Sequence, residues 1–284
     1  MGRMMRFIYY KNIVFSFTSS RTVRIFVSMK RILEVCCGKL ESVRAAVLGG
    51  AERIELCSAL ELDGLTPSEE LIRTVKQLYP GLRVHVLIRP RAGDFHYSAE
   101  EAGIMAGQVE MALEAGADGI VLGCLDAKGD PAVKDLIDLV RCVDDWNLAR
   151  ELNASDLCHA SNDSHFFPGP ARKAVSLTFH RAFDVCRDPF SALETIVALG
   201  FDRILTSGQA PSAEAGIPLL KRLVEAAAGR ILILPGCGVT PENAAHILAE
   251  TGASEIHASA SVSRDGVKLT SSGKVASILN AIQR

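Results

Sequence analysis

Gly49-Gly50-Ala51-Glu52-Arg53-Ile54 is a phrase that the chain repeats. Ala115-Gly116-Ala117-Asp118-Gly119-Ile120, Leu199-Gly200-Phe201-Asp202-Arg203-Ile204 and Thr251-Gly252-Ala253-Ser254-Glu255-Ile256 have the same form. Each ends a segment of helical periodicity with Gly and starts an apolar run with Ile. A recurrent helix-to-strand loop is what the bottom of a (β/α)8 barrel requires. Working outward, strand-like runs fall at 32–37, 53–57, 83–89, 119–125, 175–183, 202–207, 230–234 and 255–259. Helix-period segments lie between and after them, at 40–48, 68–79, 99–115, 132–145, 189–199, 213–228, 241–251 and 274–282. The alternation predicts an α/β protein with a parallel sheet. Eight units without a dinucleotide fingerprint favour a closed TIM (β/α)8 barrel, a single domain, over an open doubly wound sheet.

Composition agrees. A chain of 284 residues fits one such barrel, which takes about 250 residues. Hydrophobic residues make up 48% but aromatics only 6%, so aliphatic side chains must fill the core, as suits parallel strands buried on both faces. The net charge of −2 gives no bulk attraction to nucleic acid. No apolar run approaches the roughly 20 residues of a membrane-spanning helix. The expectation is a protein without nucleic-acid or membrane partners.

Two stretches stand apart. Residues 1–28 carry Arg3, Arg6, Lys11, Arg21 and Arg24 with no acid, and are rich in Ser and Thr. This basic N-terminal extension has the composition of an organelle transit segment or of a disordered or untranslated head with Met29 as the start; the barrel is assigned to 29–284. Residues 146–172 contain Asn153, Ser155, Ser161, Asn162, Ser164, Pro168, Gly169 and Pro170 and read as a loop-rich insertion.

In these barrels the chemistry sits at the C-terminal ends of the strands, and alternate strand residues share a face. Glu34 and Cys36 share one face of the first strand, and Glu55 and Cys57 share one face of the second. Burying an unpaired carboxylate is costly, so these acids should line a polar cavity, meet a cation or pair with a buried Arg. Arg89 and Arg91 end the third strand as an anion clamp. His180, beside Arg181 and Asp184, ends the fifth. Gly236 and Gly238 after the seventh strand suggest an anion pocket, and His257 lies on the eighth. Adjacent strands are about 4.8 Å apart, so Cys36 and Cys57 could share a soft ion such as Cu(I). Cys124 and Cys237 are secondary candidates, whereas Cys142, Cys158 and Cys186 read as structural or surface thiols. The irregular spacing of the eight cysteines suggests reduced thiols, not a disulfide scaffold.

Leu33-Glu34-Val35-Cys36, the run Arg53–Ser58 (RIELCS), the run Ile88–Phe95 (IRPRAGDF), the run Thr178–Asp184 (TFHRAFD), Leu205-Thr206-Ser207-Gly208 and the run Ile256–Ala260 (IHASA) occur in this order. As a set they resemble the CutC copper-homeostasis family, over about Met29 to Arg284. The resemblance implies a TIM barrel, Cu(I) binding by cysteine as in eukaryotic members, a homo-oligomer and a mainly cytoplasmic location; the expected location extends to the nucleus, or to an organelle if the basic residues 1–28 act as a transit peptide. Gly236-Cys237-Gly238 stands where the family commonly has three glycines.

Two functions are expected to compete. The first is Cu(I) binding through Cys36 and Cys57 at the barrel mouth, with copper ion as the partner. The second is a lyase or isomerase acting on a small anionic or phosphorylated substrate. It would use Glu34, Glu55 and His180 as acid–base groups and Arg89, Arg91, Asp184, Gly236, Gly238 and His257 around the ligand.

Overall fold

The computed structural model describes residues 7–10, 13–17, 23–27, 30–160, 175–264 and 267–283. Its centre is a parallel sheet of eight strands: β1 (Ile32–Cys37), β2 (Arg53–Leu56), β3 (Arg83–Leu87), β4 (Gly119–Leu122), β5 (Ser176–Phe179), β6 (Arg203–Thr206), β7 (Leu232–Pro235) and β8 (Glu255–Ala258). The hydrogen-bonded order is β7-β6-β5-β4-β3-β2-β1-β8. Strands β7 and β8 meet without a ladder. Gly236, just past β7, allows the approach: a Cβ there would lie 2.6 Å from Leu205 Cδ1 and 3.3 Å from His257 Cβ. The result is a nearly closed TIM barrel, as the sequence predicts.

Helices α1 (Leu40–Leu48), α2 (Glu69–Leu78), α3 (Ala99–Glu114), α4 (Val133–Ala160), α5 (Pro189–Ala198), α6 (Ile217–Ala227), α7 (Ala244–Thr251) and α8 (Ser272–Ile282) follow the strands. Their starts are written locally. Ser68 and Ser98 cap α2 and α3, the latter with a full capping box through Glu101. Asp188 caps α5 ahead of Pro189.

The repeated phrase explains the helix ends. Gly50, Gly116, Gly200 and Gly252 all have positive φ, from 76° to 95°, which an L side chain adopts only with strain. In three of the loops the next residue turns back, with Ala51 N–H donating to Ala46 O, Ala117 to Ala112 and Phe201 to Ile196. This satisfies the orphan carbonyls of the last helical turn. The same three residues and Ala253 are buried beneath the barrel.

Strand parity sorts the residues into two interiors. Leu33, Val35, Ile54, Val84, Ile120, Phe179, Ile204 and Ile256 face the helices in one large apolar cluster. The opposite face turns Glu34, Arg53, Glu55, His85, Arg203, Glu255 and His257 into the barrel, all buried. A small apolar patch of Cys57, Leu87 and Val121 caps this polar column.

Three departures from the sequence reading appear. Residues 146–160, expected as loop, continue α4 to Ala160; residues 161–172 lie outside the described residues. The helix persists because it is docked: Trp146 packs on the core, and the Asn147 amide accepts from Val175 N–H at 2.8 Å and donates to Val175 O at 3.1 Å. Such tertiary anchoring overrides the modest helix propensity of the Asn and Ser that follow. Second, an antiparallel hairpin, Ser261–Arg264 with Val267–Thr270, separates β8 from α8. Third, within 1–28 the strands Phe7–Tyr10, Ile13–Phe17 and Val23–Val27 form an antiparallel sheet of their own.

Candidate functional site

The polar column is built by register. Glu34 stands opposite Arg53 on one side and His257 on the other, and Cys36 stands opposite Glu55. Lowest in the barrel, Glu255 Oε2 holds Arg53 at 2.6 Å and Arg203 at 2.8 Å. Arg203 also donates to Ser176 Oγ at 3.2 Å. One step up, Glu34 Oε2 lies 2.7 Å from Arg53 Nε and 3.1 Å from His85 Nδ1, while Glu34 Oε1 meets His257 Nδ1 at 3.0 Å. His257 Nε2 faces Glu55 Oε2 at 3.6 Å.

This network sets the protonation states. Burial works to raise the Glu34 carboxyl, but the Arg53 charge and the bonds from His257 and His85 outweigh it and hold the group well below the usual range. Burial likewise disfavours a charged His257, yet its bonds to Cys36 and Glu34 and the two carboxylate charges raise it well above an ordinary histidine. Glu55 keeps a raised carboxyl: burial leads, partly offset by His257 and reinforced by Glu34. His85 is lowered, chiefly by burial.

Above the column sits the mouth. Cys36 Sγ and Cys57 Sγ are 3.7 Å apart. The Cys36 thiol is raised well above its usual value by its bond with Cys57, then by burial and the neighbouring charges. Cys36, Glu55 and His257 also offer ligand atoms within 4.8 Å of one another, an arrangement able to hold a metal ion. A cavity of about 270 Å³ opens beside the thiols, lined among others by Glu55, Arg89, Phe95, His180 and Arg181.

Other expected site residues fall differently. Glu34 does not line this cavity; engaged by Arg53 and two histidines, it is the anchor of the column and not a free base. Arg91 does not join Arg89 in a clamp. Strand β3 ends at Leu87 and the loop turns through Gly93 at φ 94°, so strand parity lapses. Arg91 instead binds Glu101 at 2.6 Å and Asp94 at 3.0 Å, with Tyr97 beneath it. Asp184 lines the cavity, but its oxygens accept from Arg181, Thr206 Oγ1, Ser207 N–H and Gln209 N–H. It ties the turn after β5 to the loop after β6. Gly236 serves the β7–β8 seam. Gly238 and His257 line a second cavity of about 300 Å³ with Thr240, Ser259 and Lys274.

The remaining thiols are separate from the pair. Cys37 and Cys124 face the helices in the outer apolar cluster. Cys237 bonds the Pro211 carbonyl at 3.3 Å and borders the second cavity. Cys186 is buried near Gln209 and Cys142 is half-buried on α4; the side chain of Cys158 lies outside the described residues. Arg53, His85, Arg203 and Glu255 join the column without having been expected from the sequence. Parity carried the signal, since Arg53 is two residues before Glu55 and His85 two before Leu87, on the same inward face.

Comparison with known proteins accords with this architecture. The CutC family model matches residues 31–162 and 170–262. The match therefore runs through much of the stretch expected to be an insertion. A family protein CutC of Bacteroides thetaiotaomicron is 44% identical over 235 residues, 83% of this chain and 82% of that protein. The human copper homeostasis protein cutC homolog is 42% identical over 242 residues, 85% of this chain and 78% of that protein. The crystal structure of a putative copper homeostasis protein CutC from Streptococcus agalactiae superposes with a TM-score of 0.68 at 31% identity, covering 81% of this chain and 98% of that one. A 3-keto-L-gulonate-6-phosphate decarboxylase from Vibrio cholerae shares the fold alone, at 14% identity and a TM-score of 0.54. The chain belongs to the CutC family of copper-homeostasis proteins.

Proposed function

We propose that this protein takes up Cu(I) as cargo through Cys36 and Cys57. The observation that carries the reading is the 3.7 Å separation of the two sulfurs at the edge of a cavity that opens at the barrel mouth. Thiolate is the ligand class that selects Cu(I) over hard cations. Glu55, whose carboxyl is raised, is the group available to receive a thiol proton or complete the shell, and His257 can join it as a ligand only on giving up its own proton. The ion pairs beneath hold β8, β1 and β2 together, which keeps the donors preorganised. A cytoplasmic location and a homo-oligomeric assembly belong to the same reading and rest on the family resemblance.

The experiment is Cu(I) titration of the reduced protein against a competing chelator. The wild type is expected to bind about one ion per chain, since two thiols form one soft site. Cys36→Ser/Cys57→Ser should abolish that uptake while leaving the thermal unfolding profile in place. An unchanged stoichiometry in the double variant would remove this site.

A further inference from the structure

Beside the thiol pair the mouth contains two buried donors, His180 Nε2 and Arg89 Nε, without a well-formed hydrogen bond. His180 is 4% exposed. Its Nδ1 accepts from Ala182 N–H at 3.1 Å, so in the neutral ring the proton sits on Nε2. Nε2 is buried and has no partner. The ring is neutral, because burial and then the nearby Arg89 charge lower it to about 3.

Arg89 is 5% exposed. Its terminal nitrogens bind the carbonyls of Leu62, Gly64 and Gly93 at 2.8, 3.0 and 2.9 Å. Its Nε is buried without a well-formed hydrogen bond, the neutral Tyr97 hydroxyl being the side-chain group near the guanidinium. Among the described residues no carboxylate comes within ion-pair distance of Arg89, in contrast to Arg53 and Arg203 below it. Carbonyl dipoles satisfy N–H groups but do not cancel a charge, and an uncompensated buried cation is costly.

Both groups line the same 270 Å³ cavity. Phe95 positions them together: its ring centroid is 4.9 Å from that of His180 and 5.2 Å from the Arg89 guanidinium. Leu87, Leu205 and Phe95 supply apolar wall. A buried cation, an unpaired neutral donor and apolar walls are the ingredients of a site for a small organic anion.

We propose that this cavity binds a small organic carboxylate, its oxygens meeting the Arg89 guanidinium and His180 Nε2–H and its carbon skeleton lying against Phe95 and Leu205. The volume is near the lower end of ligand pockets, about 300 Å³, which limits the ligand to a few carbons. One guanidinium and one neutral donor match a monoanion. A phosphate dianion would meet Glu55, Asp63 and Asp184 on the same lining, where Arg181 is already paired with Asp184 at 2.7 Å and Arg89 is the one buried cation left to offset the repulsion. Cys36 and Cys57 line the same cavity, but the groups that hold the carboxylate are Arg89 and His180 and not the thiols, so the proposal does not rest on the copper reading.

The test uses the copper-free, reduced, full-length protein. Thermal shift followed by calorimetry would be run with acetate, glycolate and pyruvate beside inorganic phosphate. At least one carboxylate should raise the melting temperature saturably. His180→Asn retains an acceptor for the Ala182 N–H but removes the Nε2 donor. It should weaken that carboxylate about 10- to 100-fold, the worth of one hydrogen bond to a charged group, and urea unfolding of the unliganded variant reports the separate cost of the lost ring packing. Cys36→Ser/Cys57→Ser should bind it as the wild type does, which separates this site from copper uptake. No saturable shift up to about 10 mM, beyond the millimolar range of weak specific binding, would overturn the proposal. So would preference for phosphate, or affinity untouched by His180→Asn.

Discussion

Glu34 and Arg53 face each other across the β1–β2 ladder, and Glu34 Oε2 lies 2.7 Å from Arg53 Nε with both side chains shut off from solvent. The pair does not stand alone, since Arg53 also binds Glu255 and Glu34 also binds His85 and His257. Removing the cation leaves two carboxylates buried without it. Arg53→Met is therefore expected to cost about 3–5 kcal/mol, the usual effect of breaking a buried ion pair from one side. Arg53→Lys should recover little, because one ammonium cannot reproduce the forked contact to Glu34 and Glu255. Denaturant unfolding of the two variants checks both statements.

His180 should give the protein an acid-side stability slope. Its folded value of about 3 lies below the roughly 6.5 of an exposed histidine. Between these values the unfolded chain binds a proton that the folded chain refuses, so stability is full above about pH 6.5 and declines as pH falls toward 3. From pH 7.5 to pH 5 the loss from this group is about 2 kcal/mol. His85, also lowered by burial, acts in the same direction. His180→Asn should flatten the difference in urea midpoint between these two pH values, and an unaltered slope would show that His180 is not held neutral.

The β4 glycines make room for the histidines. A Cβ on Gly119 would lie 2.6 Å from the His85 ring, and one on Gly123, just past β4, 2.6 Å from His180 Nδ1. Both would force rings to move inside a packed barrel. Gly119→Ala and Gly123→Ala should each destabilise by about 1–3 kcal/mol, the usual cost of overpacking. Gly123→Ala should also weaken carboxylate binding, because it displaces the donor ring. Unfolding midpoints and the same calorimetric titration measure the two effects.

Glycines elsewhere should behave oppositely. Gly103 and Gly107 lie on the exposed face of α3, and a Cβ at either meets nothing within 4 Å. Alanine there lowers the entropy of the unfolded chain and suits the helix, for a gain of about 1 kcal/mol each. The Gly103→Ala/Gly107→Ala variant should melt higher than the wild type. A lower melting temperature would mean that this face is covered in the native assembly.

Local chemistry wrote much of this structure into the sequence. Glycine serves where a helix must turn back into a strand through a positive φ, so the repeated phrase around Gly50, Gly116, Gly200 and Gly252 marks four αβ loops without reference to the rest of the chain. Period-two alternation set the phase of Glu34 and Cys36, and of Glu55 and Cys57, toward the barrel axis. Which partners those side chains meet is a different matter. It depends on which strands are neighbours and how they are staggered, and only closure of the barrel sets that. Arg53 and His257 flank Glu34 because β2 and β8 both pair with β1, which turns an expected base into an anchor. Arg91 leaves the mouth because the chain turns after Arg89, ending the alternation that would have carried it inward. Residues 146–160 stay helical because Asn147 docks on Val175, a contact 28 positions away. Sequence periodicity fixes the direction of a side chain, but only the tertiary structure decides what lies in that direction, since partners far apart in the chain are brought together by packing.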